Sequence, residues 1–175
     1  MTRLCCLAEK YGSDKLGHYT PFYDLLLRHK RGRCVFRVLE IGIKDGASLR
    51  MWRDNFPEAV VYGKDKDRAT LFDEERIKTF YGDQGSVVDL GNVLSAIEAV
   101  RRPLDLIVDD GSHDIEHQAL CAEALYPYLA EGGIYIIEDV NPPAQLLFDK
   151  LNCEFTYVEH HHVKGSTGRC VVISK

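Results

Sequence analysis

The sequence predicts an α/β protein built on a doubly wound, mostly parallel sheet that ends in an antiparallel hairpin. Two observations predict the parallel part: the apolar runs are short and nearly continuous, and a segment with helical character follows each of them. The third observation is a turn-rich tail between two further strand-like runs. The four apolar runs are Val35–Ile41, Val60–Gly63, Leu104–Asp109 and Gly133–Ile137. These patterns are typical of helices that cover both faces of one sheet.

Helices are predicted in order along the chain. The first apolar run is followed by a helix over Ala47–Asp54, and the second by a helix over Asp67–Lys78. A further short strand is expected near Thr79–Tyr81, with a helix over Val93–Val100 after it. The third run is followed by a helix over Ile115–Leu129, which a glycine pair is expected to end.

The two ends of the chain differ from this pattern. Phe155–Val158 and Arg169–Ser174 flank the turn-rich GSTG at 165–168, which predicts the antiparallel hairpin. Residues 1–30 contain a loop-like stretch that ends in a helix, and residues 31–175 form the predicted main domain. No repeat, low-complexity tract or linker interrupts the sequence, so we expect a single domain overall.

Size and charge limit the classes of function. The chain has 175 residues, and its 27 acidic residues outnumber its 22 basic ones, with a pI near 5.8. No long basic run is present, so nucleic acid is not an expected partner. The apolar stretches are far too short to cross a bilayer, and the N-terminus lacks an apolar stretch of signal-peptide length. A membrane is therefore not an expected partner either.

The six cysteines, at positions 5, 6, 34, 121, 153 and 170, form no C-x-x-C pair. The sequence therefore supports neither a zinc knuckle nor a redox motif. We expect reduced thiols that mostly pack in the core of a cytoplasmic protein.

Glycines follow the first strand, at the sheet edge where open parallel sheets bind their ligands. The pattern there is E-x-G-x-x-x-G, with Glu40, Gly42 and Gly46. Glycines allow a tight turn and a close approach of a ligand to the backbone. The spacing differs from the G-x-G-x-x-G of dinucleotide sites, so an NAD-dependent oxidoreductase is disfavoured.

The ends of the next two strands carry side chains suited to a nucleoside. Asp65 lies twenty-three residues after the first glycine, a spacing that suits a carboxylate bonded to a ribose diol. Asp83 and Gln84 follow the short strand and can contact an adenine edge. Together these residues favour an adenosine ligand without a pyrophosphate. Lys64 and Lys66 flank Asp65 where a buried strand prefers apolar residues, so this strand is expected to be exposed or to end early.

With these residues collected, the sequence resembles the class I S-adenosylmethionine (SAM)-dependent methyltransferases, whose fold is Rossmann-like. Within that superfamily it is similar to the metal-dependent O-methyltransferases that act on macrolide deoxysugars. The stretches that carry the resemblance span roughly residues 10 to 140 in family order: YGSDKLGHYTPFYDLLL, VLEIGIKDGASLRMW, YGKDKD, GDQGS, LIVDDGSHDIEHQ and GGIYIIEDV.

The resemblance implies a cofactor site, a metal and a base. The implied SAM site comprises Glu40, Gly42, Gly46, Ser48, Asp65, Asp83, Gln84 and Asp109, the last as a structural or SAM-side acid. The implied metal is Mg²⁺ or another divalent cation, with Asp110, Glu138 and Asp139 as its ligands. His113 is the implied general base.

The chemistry of such a reaction explains the crowding of acids. Neighbouring parallel strands lie about 4.8 Å apart, so Asp110, Glu138 and Asp139 converge if their two strands are adjacent. Three close carboxylates repel one another unless a cation lies between them, and an oxygen-preferring ion such as Mg²⁺ fits. His113 lies three residues beyond Asp110, and an imidazole can accept a hydroxyl proton near neutral pH.

We therefore expect an enzyme, a SAM-dependent O-methyltransferase in which the metal binds the acceptor diol of a sugar and His113 removes the proton. One alternative is a metal-dependent O-methyltransferase of a catechol or another small diol. A hydrophobic, aromatic acceptor pocket would favour that alternative, and a polar pocket would favour the sugar. The other alternative is a non-catalytic SAM-binding module, which has no need for a base beside a metal.

Several other polar residues have open roles. His117 is expected to be solvated or to pack on the next helical turn, and Glu159–His162 is expected to form a polar loop. Two roles are open for the N-terminal stretch that contains Lys15, His18, Tyr19 and Tyr23. It can form a flap over SAM or the substrate, or it can be a fixed lead-in to a helix. The sequence also leaves a homo-oligomer open.

Overall fold

The computed structural model of the chain describes residues 1–32, 35–141, 145–150, 153–161 and 167–175. The strands within these residues are β1 Phe36–Ile41, β2 Ala59–Asp65, β3 Ile77–Tyr81, β4 Leu104–Asp109, β5 Leu129–Ile137, β6 Phe155–His161 and β7 Thr167–Ser174. The α-helices there are α1 Arg3–Tyr11, α2 Thr20–Leu27, α3 Ala47–Asn55, α4 Val87–Ala96, α5 Ile115–Leu125 and α6 Gln145–Lys150.

The strands form one sheet in the order β3-β2-β1-β4-β5-β7-β6. Strands β1 to β5 pair in parallel, and β7 runs antiparallel to both β5 and β6. The predicted α/β fold, a mostly parallel sheet with a C-terminal antiparallel hairpin, is confirmed. The order of the strands reverses between β1 and β4, and such a switch point is where open α/β sheets bind their ligands.

Helices cover both faces of the sheet and form two hydrophobic clusters. On one face α1, α2 and α3 contribute Leu4, Tyr23 and Trp52, all of which are fully buried. On the other face α4 and α5 contribute Leu90 and Cys121. Because residues 1–30 supply part of the first cluster, the N-terminal segment shares its core with the rest of the chain.

Local sequence determines where several helices begin and end. The side chain of Thr2 accepts a hydrogen bond from the backbone N–H of Cys5 at the start of α1, and Gly12 ends that helix with a left-handed φ of 72°. Ser86 caps α4 and Asp114 caps α5 in the same way as Thr2. The turn at Gly12 directs the following residues toward the carboxyl edge of the sheet.

The prediction of a helix over Asp67–Lys78 is wrong. Asp67 caps only a short 3-10 turn over Arg68–Thr70, and β3 begins at Ile77. The Thr79 hydroxyl accepts a hydrogen bond from the backbone N–H of Phe72 at 2.7 Å and donates to its carbonyl at 2.5 Å. Pairing of β3 with β2 therefore prevails over the helical propensity of this stretch.

Two other predicted helices are displaced along the chain. The helix predicted over Val93–Val100 begins instead at Val87, directly after its N-cap serine. The helix predicted to reach Leu129 ends at Leu125, because Pro127 lacks the N–H that would continue it. The glycine pair that was expected to end this helix lies inside β5.

The ends of the chain add elements that the sequence does not predict. The helix predicted before residue 30 is α2, but α1 and α6 are unpredicted. The prediction of a polar loop over Glu159–His162 is wrong in part. Glu159 lies in β6, and its side chain forms an ion pair with Arg169 at 2.9 Å. His162 and the first half of the GSTG turn lie outside the described residues.

Strand β2 corrects another expectation. It extends to Asp65, and Lys64 is only 1% exposed, so the strand is neither exposed nor cut short at this lysine. Lys66 lies just beyond the strand and is exposed.

The described cysteines are free thiols, and Cys5, Cys121 and Cys170 are buried. Cys34 lies outside the described residues. In the described part of the chain, no helix combines the length and the apolar character that a bilayer span requires.

Candidate active site

The carboxyl ends of β1, β4 and β5 bring the predicted site residues together. In the register of the sheet, Asp109 of β4 lies beside the last residue of both β1 and β5. Gly42, Asp110 and Glu138 therefore leave the sheet at the same level. The expectation that the strands before Asp110 and Glu138 are neighbours is confirmed.

Backbone hydrogen bonds extend the sheet one residue beyond these strands. Each uses the first N–H after a strand and a carbonyl near the end of its neighbour, at 2.8 to 2.9 Å. The bonds are Gly82 to Asp65, Gly42 to Lys64, Asp110 to Ile41 and Glu138 to Asp109. One continuous network thus joins the ends of β3, β2, β1, β4 and β5.

A cavity lies over the ends of β1, β2 and β3. Its lining comprises Ile41, Gly42, Lys64, Asp65, Lys66, Gly82, Asp83, Gln84, Gly111, Ser112 and His117. Gly42 has a φ of 88°, and a Cβ atom there would clash with the backbone carbonyl of Asp110. A glycine is therefore required where the chain passes under this cavity. Carboxylates beside a narrow, glycine-lined floor fit a nucleoside.

Asp65 and Gln84 also hold the loops around this cavity. Oδ2 of Asp65 accepts a hydrogen bond from the backbone N–H of Ile43 at 2.8 Å. The Gln84 side chain is engaged at both ends: Nε2 donates to Asp109 and Oε1 accepts the N–H of Ser112, both at 2.7 Å. Gln84, which was predicted to contact an adenine edge, thus lines the cavity with an amide that is already bonded to protein.

A second cavity continues the first toward β4. Gly42, Asp65 and Gly111 line both cavities, and Ser48, Asp110 and His113 belong to the second. Gly12, Ser13, Asp14, Ile43, Lys44, Asp45 and Ala47 complete its lining. The shared residues make one cleft, and its polar lining fits a nucleoside that carries an amino acid chain, as SAM does.

Three residues of the predicted cofactor site lie behind the cleft and line neither cavity. Burial raises the pKa of both Glu40 and Asp109 to about 7. Glu40 accepts a hydrogen bond from Nε1 of Trp52 at 2.7 Å. Gly46 begins α3 with a left-handed φ of 77°, and a side chain there would clash with the ring of Phe72. These residues support the walls of the cleft.

Asp110, His113 and Asp139 form a cluster whose ligand atoms all lie within 4.8 Å of one another. Nε2 of His113 lies 3.0 Å from Oδ1 of Asp110 and 3.7 Å from Oδ2 of Asp139. The hydrogen bond to Asp110 raises the pKa of His113 above its ordinary value. Two carboxylates and an imidazole at this spacing fit a divalent cation, and the carboxylate oxygens suit Mg²⁺.

Lys15 lies among buried carboxylates next to this cluster. Its Nζ is 2.5 Å from Asp110, 2.8 Å from Glu138 and 3.6 Å from Glu40. Burial alone would lower the pKa of Lys15, but the charges of these carboxylates raise it well above its usual value. Glu138, predicted as a metal ligand, therefore contacts Lys15, while Asp110 contacts both Lys15 and His113.

The N-terminal segment and α5 supply further contacts. The Tyr19 hydroxyl donates to Oδ1 of Asp139 at 2.6 Å and accepts the backbone N–H of the same residue at 3.1 Å. With the ion pairs of Lys15, this contact attaches the segment before α2 to the acid cluster. His117 lines the first cavity, and its Nδ1 lies 3.0 Å from the Ser112 hydroxyl. Nothing in the local pattern around His117 distinguishes it from a packing residue.

Comparison with known sequences identifies similar proteins. The profile of the family described as "Methyltransferase domain" matches residues 39–140, more than half of the chain. Demethylmacrocin O-methyltransferase of Streptomyces fradiae is 41% identical over 141 residues, which cover 77% of this chain and 34% of that enzyme. A second relative is 37% identical over 144 residues, which cover 77% of this chain and 36% of that enzyme. It is the 8-demethyl-8-(2-methoxy-alpha-L-rhamnosyl)-tetracenomycin-C 3'-O-methyltransferase of Streptomyces olivaceus. The chain spans about a third of the length of these relatives.

Comparison with solved structures also identifies a methyltransferase. The MycE methyltransferase from the mycinamycin biosynthetic pathway, in complex with Mg, SAH and mycinamycin VI, is similar with a TM-score of 0.75 and 29% identity. The similarity covers 99% of this chain and 53% of that one.

Proposed function

The chain belongs to the class I methyltransferases, in the family of the macrolide and deoxysugar O-methyltransferases, and from that premise we propose that it methylates a sugar hydroxyl with SAM and a divalent cation. The observation that carries the proposal is the position of the Asp110–His113–Asp139 cluster. Asp110 and His113 line the same cleft as Gly42 and Asp65, so a methyl donor and an activated hydroxyl can meet there.

Each part of the cleft has a role in this proposal. Asp65 accepts hydrogen bonds from the ribose of SAM, and Asp83 lies at the adenine end, while Ser48 lies at the amino acid end. Asp110 and Asp139, with Glu138 beside them, are the candidate ligands of Mg²⁺. The bound cation would lower the pKa of a coordinated sugar hydroxyl by several units.

The proton and the methyl group can both be accounted for. Nε2 of His113 lies 3.0 Å from Oδ1 of Asp110 and donates its proton to that carboxylate in this structure. A cation held by Asp110 would compete for this contact, and an unprotonated Nε2 would then accept the proton of the hydroxyl as the oxygen attacks. A bond forms between this oxygen and the methyl carbon, and the bond from that carbon to sulfur breaks. The products are a methyl ether and S-adenosylhomocysteine (SAH). Holding the two reactants in line supplies a large part of the rate enhancement.

The lining beside the cluster favours a sugar over a catechol. The cavity next to Asp110 is lined by Asp14, Lys15, His18, Tyr19, Asp110, His113, Glu138, Asp139 and Gly168. Its one aromatic phenol, Tyr19, is bonded to Asp139 through its hydroxyl. Charged and polar groups suit the hydroxyls of a sugar better than the face of an aromatic ring. The rhamnosyl group in the name of the tetracenomycin relative points the same way.

The test is methyl transfer from labelled SAM to a panel of glycosides, nucleotide sugars, catechols and small diols. We expect transfer to a sugar hydroxyl, with loss of activity in EDTA and recovery with Mg²⁺. Transfer to catechols but not to sugars would support the alternative enzyme. SAH binding without any transfer across the panel would support the non-catalytic module. A homo-oligomer and a cytoplasmic location remain predictions.

A further inference from the structure

Lys64 is a buried cation at the end of β2. Its side chain lies on the face of the sheet that carries α4 and α5, it is 1% exposed, and it lines the cavity assigned above to the nucleoside. No hydrogen bond or ion pair joins its Nζ to any residue that the structure describes. Burial accordingly lowers the pKa of Lys64. A buried ammonium group without a partner is costly, which indicates that a ligand supplies the partner.

The acids near Lys64 are already engaged. Oδ1 of Asp109 accepts from Gln84 at 2.7 Å, and Oδ2 faces the Tyr135 hydroxyl at 3.5 Å. Oδ1 of Asp83 accepts the backbone N–H of Gly85 at 2.8 Å, and Oδ2 of Asp89 accepts the backbone N–H of Asp83 at 2.8 Å. These contacts hold the three carboxylates in place without a hydrogen bond from Lys64.

The chemistry of the cavity restricts what Lys64 can bind. An ammonium group only donates hydrogen bonds, so its partner must be an acceptor. Adenine presents ring nitrogens as acceptors, and the amide of Gln84, another donor in the lining, is already bonded to Asp109 and Ser112. The ribose hydroxyls are assigned to Asp65, the next residue of the same lining.

We propose that Lys64 is a specificity-determining residue for the nucleobase, and that its ammonium group donates a hydrogen bond to a ring nitrogen of the adenine of SAM and SAH. The proposal rests on the proposed function, since it requires an adenosyl cofactor in this cleft. A charge-assisted hydrogen bond of this kind changes affinity by about 10- to 100-fold.

The test measures binding of SAH and of its 1-deaza, 3-deaza and 7-deaza analogues by calorimetry. Each analogue replaces one ring nitrogen with a C–H group and so removes one acceptor. The wild-type protein should bind one of the three about 10- to 100-fold more weakly than SAH. In Lys64→Met, which keeps an unbranched side chain, that analogue and SAH should bind with nearly equal Kd values. Lys78→Met, which changes an exposed lysine that lines neither cavity of the cleft, should retain the wild-type discrimination.

The outcomes separate this proposal from the proposed function. A wild-type protein that binds SAH but does not discriminate among the analogues would overturn the role of Lys64 alone. So would discrimination that persists in Lys64→Met or disappears in Lys78→Met. Failure of the wild-type protein to bind SAH would overturn the proposed function itself. Thermal unfolding without ligand checks the fold of each variant, and Lys64→Leu replaces Lys64→Met if the latter does not fold.

Discussion

His113 and Asp139 adopt left-handed backbone angles, with φ values of 56° and 50°. Residues other than glycine rarely adopt this conformation, which costs about 1 to 3 kcal/mol at each position. Such strain persists where surrounding contacts determine the geometry. Here Tyr19 bonds both the backbone and the side chain of Asp139, and Asp110 bonds His113. These contacts hold both side chains in the Asp110–His113–Asp139 cluster.

We predict that His113→Asn lowers turnover by about 100-fold or more and leaves the Kd of SAH nearly unchanged. Asparagine tolerates a left-handed φ, so this substitution removes the base with little change of the backbone. Labelled methyl transfer measures turnover, and calorimetry measures binding. His29→Asn is the control, because His29 is exposed and lines none of the cavities described for the site. Turnover within a few-fold of wild type in His113→Asn would show that another group takes the proton.

We predict that Asp65→Ala weakens SAH binding by about tenfold or more, because the ribose hydroxyls would lose the carboxylate that accepts their hydrogen bonds. Asp65 also accepts the N–H of Ile43, so part of the effect could arise from the loop. Asp65→Asn keeps an oxygen for that N–H but cannot accept from both hydroxyls as a carboxylate does. Unchanged affinity in both variants would place the ribose elsewhere in the cleft.

The segment between α1 and α2 is attached to the sheet edge by charge. Lys15 is only 1% exposed, and three acidic side chains surround its ammonium group. Ser13 and Asp14 of the same segment line the cleft, so the position of this segment shapes the site. The stability of the segment and the geometry of the acid cluster are therefore linked.

We predict that Lys15→Met lowers the free energy of unfolding by about 3 to 5 kcal/mol, because removal of one partner leaves buried carboxylates that repel one another. Urea unfolding measures the effect. Mg²⁺ should stabilise this variant more than the wild-type protein, since a cation near Asp110 would reduce the repulsion. Lys44→Met removes an exposed ion pair with Asp14 and should change stability little. Equal stability of Lys15→Met and the wild type would contradict this account of the cluster.

Helices α1 and α3 are joined by a polar contact at Asp54. Burial alone would raise the pKa of Asp54, but hydrogen bonds from Tyr11, Lys10 and Arg53 lower it below its ordinary value. A lowered pKa means that the contact stabilises the fold above the unfolded pKa of about 3.9 and that this contribution is lost as the pH falls through the folded value.

We therefore predict that Asp54→Asn is less stable than the wild-type protein at pH 7 and that the difference narrows as the pH falls from 4 to 3. Urea unfolding of both proteins at a series of pH values measures the difference. A difference that stays constant from pH 7 to pH 3 would show that the charge of Asp54 contributes little.

Across the whole molecule, the predictions that succeed depend on patterns within short stretches. The apolar runs that become β1, β2, β4 and β5 are continuous because both faces of the sheet are covered. The acids after β4 and β5 meet because parallel neighbours end at the same edge. The order of the strands then places Gly42 and Asp65 beside them.

The predictions that fail depend on contacts between distant residues. The stretch after Asp67 has helical character, yet the pairing of β3 with β2 decides its conformation. The bond between Lys15 and Glu138 joins residues that are 123 positions apart. Nothing in the local pattern at Lys64 shows that its side chain is buried beside a cavity. Such outcomes follow from tertiary packing, which outweighs local propensity.

The hydrogen-bonded network across the five strand ends has a mechanical consequence. Because Gly42, Gly82, Asp110 and Glu138 are each hydrogen-bonded to the neighbouring strand, the residues beneath the proposed donor and those beneath the proposed acceptor belong to one network. For a displacement reaction, in which an error of about 1 Å can cost about 100-fold in rate, such coupling between adjacent strand ends favours a constant separation of the two reactants.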